Sequence, residues 1–126
     1  MRQPEGNGNA RVIIQRVRGR MKTFKIVVYV PTANAEALRG AMGEAGAGRI
    51  GNYDYCSFTL TGTGRFRPLA GANPSIGAVG KLEDVAEDRI ETVCAEDRLK
   101  PVLAAIRAAH PYEEPAIDVY PLAVVD

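Results

Sequence analysis

The sequence predicts an α+β fold of order β-α-β-β-α-β, in which a four-stranded antiparallel sheet carries two helices on one face. Three observations lead there. Residues 23–30 are a short β-branched and aromatic run closed by a proline, residues 35–45 and 99–106 repeat apolar side chains at helical spacing, and two segments between those helices alternate in polarity. A chain of 126 residues that is 46% hydrophobic and 25% charged suits one domain around one core.

Residues 23–30 (β1) are apolar on most of both faces, the composition of a central strand, and Pro31 closes them. Asn34 is the candidate cap of helix α1, whose Ala35, Leu38, Met42 and Ala45 share a face before Gly46 and Gly48 stop it. Residues 52–61 alternate, with Cys56, Phe58 and Leu60 on one side and Tyr53, Tyr55, Ser57 and Thr59 on the other, which predicts a half-buried β2. Residues 62–80 hold repeated glycines with Pro68 and Pro74 and no periodicity, and read as one long loop. Within residues 81–94, Ile90, Thr92 and Cys94 share a face opposite Glu91 and Val93, and β3 is placed there. Leu99, Val102, Leu103 and Ile106 form the apolar stripe of α2, with Asp97 or a neighbour as its cap. Pro101 falls in its first turn, where the missing backbone donor costs little. Residues 116–124, edged by Pro115 and Pro121, are predicted as β4 near a sheet edge. The order is the ferredoxin-like, split βαβ arrangement. Its uncovered face would hold apolar side chains of β1 with Tyr53 and Tyr55, a patch that predicts self-association.

The 16 basic and 15 acidic side chains nearly cancel, so no global field favours nucleic acid as a partner. Their distribution is uneven. Residues 1–20 carry Arg2, Arg11, Arg16, Arg18 and Arg20 against Glu5, whereas residues 21–126 carry 11 basic and 14 acidic groups. Residues 1–20 are expected to be a basic, disordered extension, and residues 21–126 a single domain. The extension has no apolar run longer than Val12-Ile13-Ile14, and nothing approaches the roughly 20 residues needed to cross a bilayer. A cytoplasmic protein without a membrane partner is expected. Cys56 and Cys94 lack CxxC spacing and are expected to be free thiols of a reducing compartment.

The stretch His110-Pro111-Tyr112-Glu113-Glu114-Pro115 sets the one histidine beside a phenol and two carboxylates in a proline-bracketed turn. Imidazole and carboxylate suit a borderline divalent metal, with His110 and Glu114 as candidate donors. With Tyr112 and Glu113 the same groups suit a cationic or hydroxylated ligand. The competing reading is local: His110 ends α2, Pro111 stops it, and the glutamates are solvated.

Gly46-Ala47-Gly48-Arg49-Ile50-Gly51 has the letters of a dinucleotide fingerprint, but it follows a helix and precedes a strand, the reverse of what that motif requires. It reads as a glycine-rich turn whose amides can form a small anion nest, with Gly48, Arg49, Gly51, Asn52 and Tyr53 as candidate contacts. Arg65 and Arg67, either side of Phe66, could hold a carboxylate or phosphate together, or pair with the acidic run at 83–91. No cysteine or serine has a base beside it in sequence, so a Cys94–His110 pair would need the fold to create it. Adjacent Glu113 and Glu114 diverge, which is poor geometry for a glycosidase pair, and no catalytic residue is assigned.

These strings, with Asn52-Tyr53-Asp54, Cys56-Ser57-Phe58, Gly62-Thr63-Gly64-Arg65-Phe66-Arg67-Pro68, Ile76-Gly77, Gly80, Arg89-Ile90-Glu91-Thr92-Val93-Cys94 and Ala116, occur in one order over residues 21–122. That order resembles the YqfO branch of the NIF-three-like proteins, specifically their insert domain and its stand-alone relatives. The resemblance implies a sheet of the kind found in PII signalling proteins and the CutA family, assembled as trimers with ligand clefts between subunits. The loop at 62–80 would then be the long β2–β3 loop those proteins use to reach ligands or partners. Larger family members enclose this domain in a shell that binds two metals. Those flanking halves have no counterpart in these residues and one histidine cannot rebuild them, so hydrolase or cyclohydrolase activity is not implied.

The expectation is a non-catalytic module that senses a small ligand or binds a partner, as a homo-oligomer and specifically a trimer. No cofactor is certain, and a divalent metal is the candidate. A metal-dependent hydrolase and a structural oligomerisation domain are the alternatives. The site is expected where the 48–53 turn, Arg65, Arg67 and the 110–114 turn approach one another, within or across subunits.

Overall fold

The structure, a computed structural model, describes residues 22–123; the basic extension lies outside them. Strand β1 (Thr23–Pro31), helix α1 (Ala35–Ala45), strands β2 (Phe58–Phe66) and β3 (Glu83–Ala95), helix α2 (Leu99–Ala109) and strand β4 (Ala116–Leu122) follow the predicted order. The sheet runs β2-β3-β1-β4, every neighbouring pair antiparallel. This is the ferredoxin-like α+β fold.

Strand β1 is central because it has apolar side chains to spend on both faces. Phe24, Ile26, Val28 and Val30 alternate toward the helices and pack with Leu38, Met42, Leu99, Val102 and Ile106, joined by Ile90 and Cys94 of β3. Burial of each such aliphatic side chain stabilises by roughly 1.5–3 kcal/mol, which is what recruits both amphipathic helices to this face. Neither helix start uses the cap its sequence suggested. Asn34 makes no side-chain capping bond, because residues Thr32–Asn34 form a 3-10 turn; Glu96–Arg98 do the same before α2, where Asp97 makes no capping bond either. The end of α1 is sharper. Gly46 takes the left-handed φ of 115°, and Gly46 and Ala47 donate back to the Gly43 and Met42 carbonyls at 3.1 and 3.0 Å. Arg98 adds a charged donor at that end, reaching the Ala45 carbonyl with Nε at 3.1 Å and a terminal nitrogen at 2.7 Å.

Strand β2 departs from its sequence reading in extent and in facing. It starts at Phe58 rather than near residue 52, and runs to Phe66 through glycines that had suggested a loop. Residues 46–57 instead make a compact excursion. Gly48 donates to the Val93 carbonyl at 2.7 Å and accepts from Cys56 at 3.0 Å, while Ile50 and Tyr53 exchange backbone bonds of 2.9 Å across a tight turn at Gly51. Tyr55 has a φ of 57° and lays its ring where a β-carbon on Gly43 of α1 would stand.

Register puts Phe58 and Leu60 on the open sheet face with Lys25, Val27, Tyr29, Arg89, Glu91 and Tyr120, not on the core side. The reason is polar. On the helix side Thr59 and Thr61 meet Arg39 and the buried Asp88, whose carboxylate accepts from Thr32 and Thr61 at 2.8 and 2.9 Å, and Arg39 donates to Thr59 at 3.3 Å. Phe58 stays 61%, Leu60 53% and Tyr120 48% exposed, so the apolar patch of the open face comes from these three rather than from Tyr53 and Tyr55.

Candidate functional site

A cleft of about 400 Å³ opens where the segment after β2 folds back against the 110–115 turn. Phe66, Arg67, Pro68 and the loop residues Ala72, Pro74 and Ile76 form one wall, Tyr112, Glu113, Glu114 and Ala116 the other, and Tyr29 and Glu87 the sheet-side floor. The loop is closed on itself by Gly80 donating to the Pro68 carbonyl at 2.8 Å. It is tied to the turn by the Asn73 amide, which donates to Glu113 Oε1 at 2.8 Å, and by the edge-on packing of Phe66 and Tyr112, with centroids 5.7 Å apart.

His110 holds the turn in place. The helix ends on it, with its amide donating to the Ile106 carbonyl at 2.9 Å and its ψ of 136° already extended, as the following proline demands. Its ring is buried and both nitrogens are engaged by backbone. Nε2 lies 2.6 Å from the Tyr29 carbonyl and Nδ1 accepts from the Tyr112 amide at 3.1 Å, so the imidazole is the tautomer with its proton on Nε2. Both ring nitrogens of the candidate metal donor His110 are thus taken up by backbone groups. Among the described residues no three or more His, Cys, Asp or Glu side chains come close enough together to hold a metal ion.

Tyr112 donates its phenol proton to Glu87 Oε2 at 2.8 Å. Burial first, then this bond, push the phenol well above its ordinary range, so it stays a neutral donor. The Glu87 carboxylate also explains Gly64, since a β-carbon there would collide with it. A sheet position that reads as a broken strand is thus the space one carboxylate occupies. Tyr29 accepts a 3.0 Å bond from Arg89, whose guanidinium stands 5.7 Å from the Tyr29 ring centroid and also bonds Glu91 at 2.8 Å.

Of the residues anticipated from sequence, Arg65, Arg67, Tyr112, Glu113 and Glu114 line the cleft, and His110 braces it from behind. Arg65 pairs with Asp84 at 3.0 Å, as the acidic-run reading anticipated. Gly48, Arg49, Gly51, Asn52 and Tyr53 do not join them within one chain. Gly48 is bonded to Val93, six residues and roughly 20 Å along β3 from Glu87. Nor do Cys94 and His110 meet. Cys94 pairs opposite Phe24, whereas His110 sits at Tyr29, five residues and roughly 17 Å along β1. Glu87, Tyr29 and Ile76 were not singled out as ligand contacts, and the only advance signal was an acidic side chain on the strand face shared with Arg89 and Glu91.

A four-stranded antiparallel sheet with two helices on one face is the ferredoxin-like fold that CutA proteins also have. The periplasmic divalent cation tolerance protein CutA from Archaeoglobus fulgidus superposes with a TM-score of 0.59 at 18% identity, over 82% of this chain and 86% of that one. A Bacillus cereus protein related to NIF3 superposes with a TM-score of 0.70 at 48% identity, over 80% of this chain but 26% of that one.

Curated relatives named GTP cyclohydrolase 1 type 2 homolog are 52% identical over 110 residues in Mycobacterium tuberculosis and 53% over 100 residues in Halalkalibacterium halodurans. The chain belongs to this NIF-three-like family through one section of it. The matches cover 87% and 79% of this chain but 29% and 27% of those relatives, so the chain spans under a third of their length. No family model matches.

Proposed function

We propose that the protein is a non-catalytic, cytoplasmic ligand-sensing module that binds a small molecule in the cleft between the 66–76 segment and the 110–116 segment. We further propose that it self-associates as a trimer through the open sheet face. The observation that carries this reading is the convergence of Arg67, Glu87, Tyr112, Glu113 and Glu114 around one ligand-sized, largely apolar cavity with a braced wall. Cavities of this size with a few placed polar groups are the usual form of a small-molecule site. Two groups that nucleophilic catalysis could use are committed elsewhere: the imidazole to backbone, and the Cys94 thiol to the core. The relatives' cyclohydrolase name belongs to proteins about three times as long, and nothing in the cleft favours carrying it over. Self-association is supported by the exposure of Phe58, Leu60 and Tyr120 on one sheet face. Among the described residues no helix is long and apolar enough to cross a membrane.

The test is mass spectrometry of small molecules released from the purified, untagged protein. A compound present with wild type and absent from the Phe66→Ala, Tyr112→Ala variant is the expected result. A compound retained by that variant would move the site elsewhere.

A further inference from the structure

We infer that the cleft selects a small organic cation, an ammonium or guanidinium group carried on an apolar or aromatic body. The inference rests on the cleft being the ligand site and names the chemistry that site recognises. Glu87, Glu113 and Glu114 line it against two guanidiniums, and one of these, Arg65, is paired with Asp84 at 3.0 Å. Arg67 alone then stands against three carboxylates.

Two of those carboxylates are held rather than loose. Glu87 is fixed from the turn by Tyr112 at 2.8 Å and seated over Gly64, and Glu113 is fixed from the loop by the Asn73 amide at 2.8 Å. They approach from different elements, so a ligand between the walls meets negative charge from more than one direction. The rings of Tyr29, Phe66 and Tyr112 stand among them. Aromatic faces attract cations through the ring quadrupole, which adds to the carboxylate field instead of opposing it. Tyr29 already has one cationic neighbour in Arg89, 5.7 Å from its centroid.

An anion of the same shape would meet these carboxylates and ring faces with Arg67 to offset them, since Arg65 is paired with Asp84 and Arg89 with Glu91. A bare metal ion would need convergent donors, and among the described residues no such group exists. The apolar remainder of the wall, Pro68, Pro74 and Ile76, instead suits a hydrocarbon body.

Three probes with one body and different heads test this: phenethylamine, 2-phenylethanol and 3-phenylpropionate, titrated into ¹⁵N-labelled protein with amide shifts as the readout. Phenethylamine should perturb residues 66–76 and 110–116 and bind at least about tenfold more tightly than the alcohol, with the propionate weakest. Glu87→Gln keeps an acceptor for Tyr112 but removes a charge. It should cut the advantage of the amine over the alcohol by about threefold or more. Propionate binding most tightly at the same amides, or amine and alcohol binding equally, would overturn the cationic selectivity and leave the cleft as the site. An unchanged ratio in Glu87→Gln would remove Glu87 from the selectivity. No shift at those amides with any probe up to about 10 mM would overturn the cleft reading as well.

Discussion

Replacing His110 with alanine separates a helix stop from a brace, because the two roles differ several-fold in energy. A histidine that only ends a helix interacts with its dipole by about 0.3–1 kcal/mol. In this structure the residue is 7% exposed and its ring links three segments: α2 that carries it, β1 through the Tyr29 carbonyl at 2.6 Å, and the turn through the Tyr112 amide at 3.1 Å. Each hydrogen bond contributes a net ~0.5–1.5 kcal/mol, and leaving a buried partner unmatched adds to the loss, so His110→Ala should cost about 2–4 kcal/mol. With a urea slope of about 2 kcal/mol per molar for a domain of this size, the unfolding midpoint should fall by about 1–2 M. Circular dichroism in urea reads it directly. A loss under ~0.5 kcal/mol would show that neither bond matters and that the turn is positioned by Pro111 and Pro115 alone.

The open face, the α1 packing and the buried thiol make three more predictions. Phe58→Glu with Leu60→Glu should convert the assembly to monomers in light scattering while the circular dichroism spectrum is kept, whereas a wild-type monomer would remove the face as an interface. Gly43→Ala should lower stability although alanine is the better helix former by about 1 kcal/mol, because its β-carbon meets the Tyr55 ring. Adding Tyr55→Ala should recover that propensity gain in the same urea assay. Burial, aided by Asp97 and partly offset by Arg98, pushes the Cys94 thiol from its ordinary 9.0 up to about 11. The neutral form is the one the fold favours, so its contribution is complete below about pH 9 and is lost as pH rises through about 11. Wild type should lose stability across that window more steeply than Cys94→Ala, and parallel curves would contradict the assignment.

The central strand and both helices were legible because their signals are strong and local. β1 is apolar on both faces, α2 repeats at helical spacing, and Gly46 supplies the left-handed end of α1. Strand β2 was misplaced at both ends for opposite reasons. Residues 52–57 alternate like a strand, but Tyr55 has a positive φ and Ile50 closes on Tyr53, so the alternation belongs to an excursion. Residues 62–66 have glycines that argue against a strand, yet Gly64 is required there by the carboxylate of a neighbouring strand. The facing of Phe58 and Leu60 was inverted because an edge strand can turn threonines inward when a buried Asp88 receives one of their hydroxyls. The cleft was half visible: Tyr112, Glu113 and Glu114 cluster in sequence, and Arg67 is close to Phe66. Glu87 and Tyr29 reach it only through sheet register, which no local pattern displays.

A crystal structure of the protein with its co-purified or added ligand tests the account most directly, because it shows where the ligand lies and what His110 does at the same time. The account predicts density for an organic molecule between Phe66 and Tyr112, with Glu87 still bonded to Tyr112 and both His110 nitrogens still on backbone groups. Density for a metal ion ligated by His110 and Glu114, with the ring turned away from Tyr29, would contradict it.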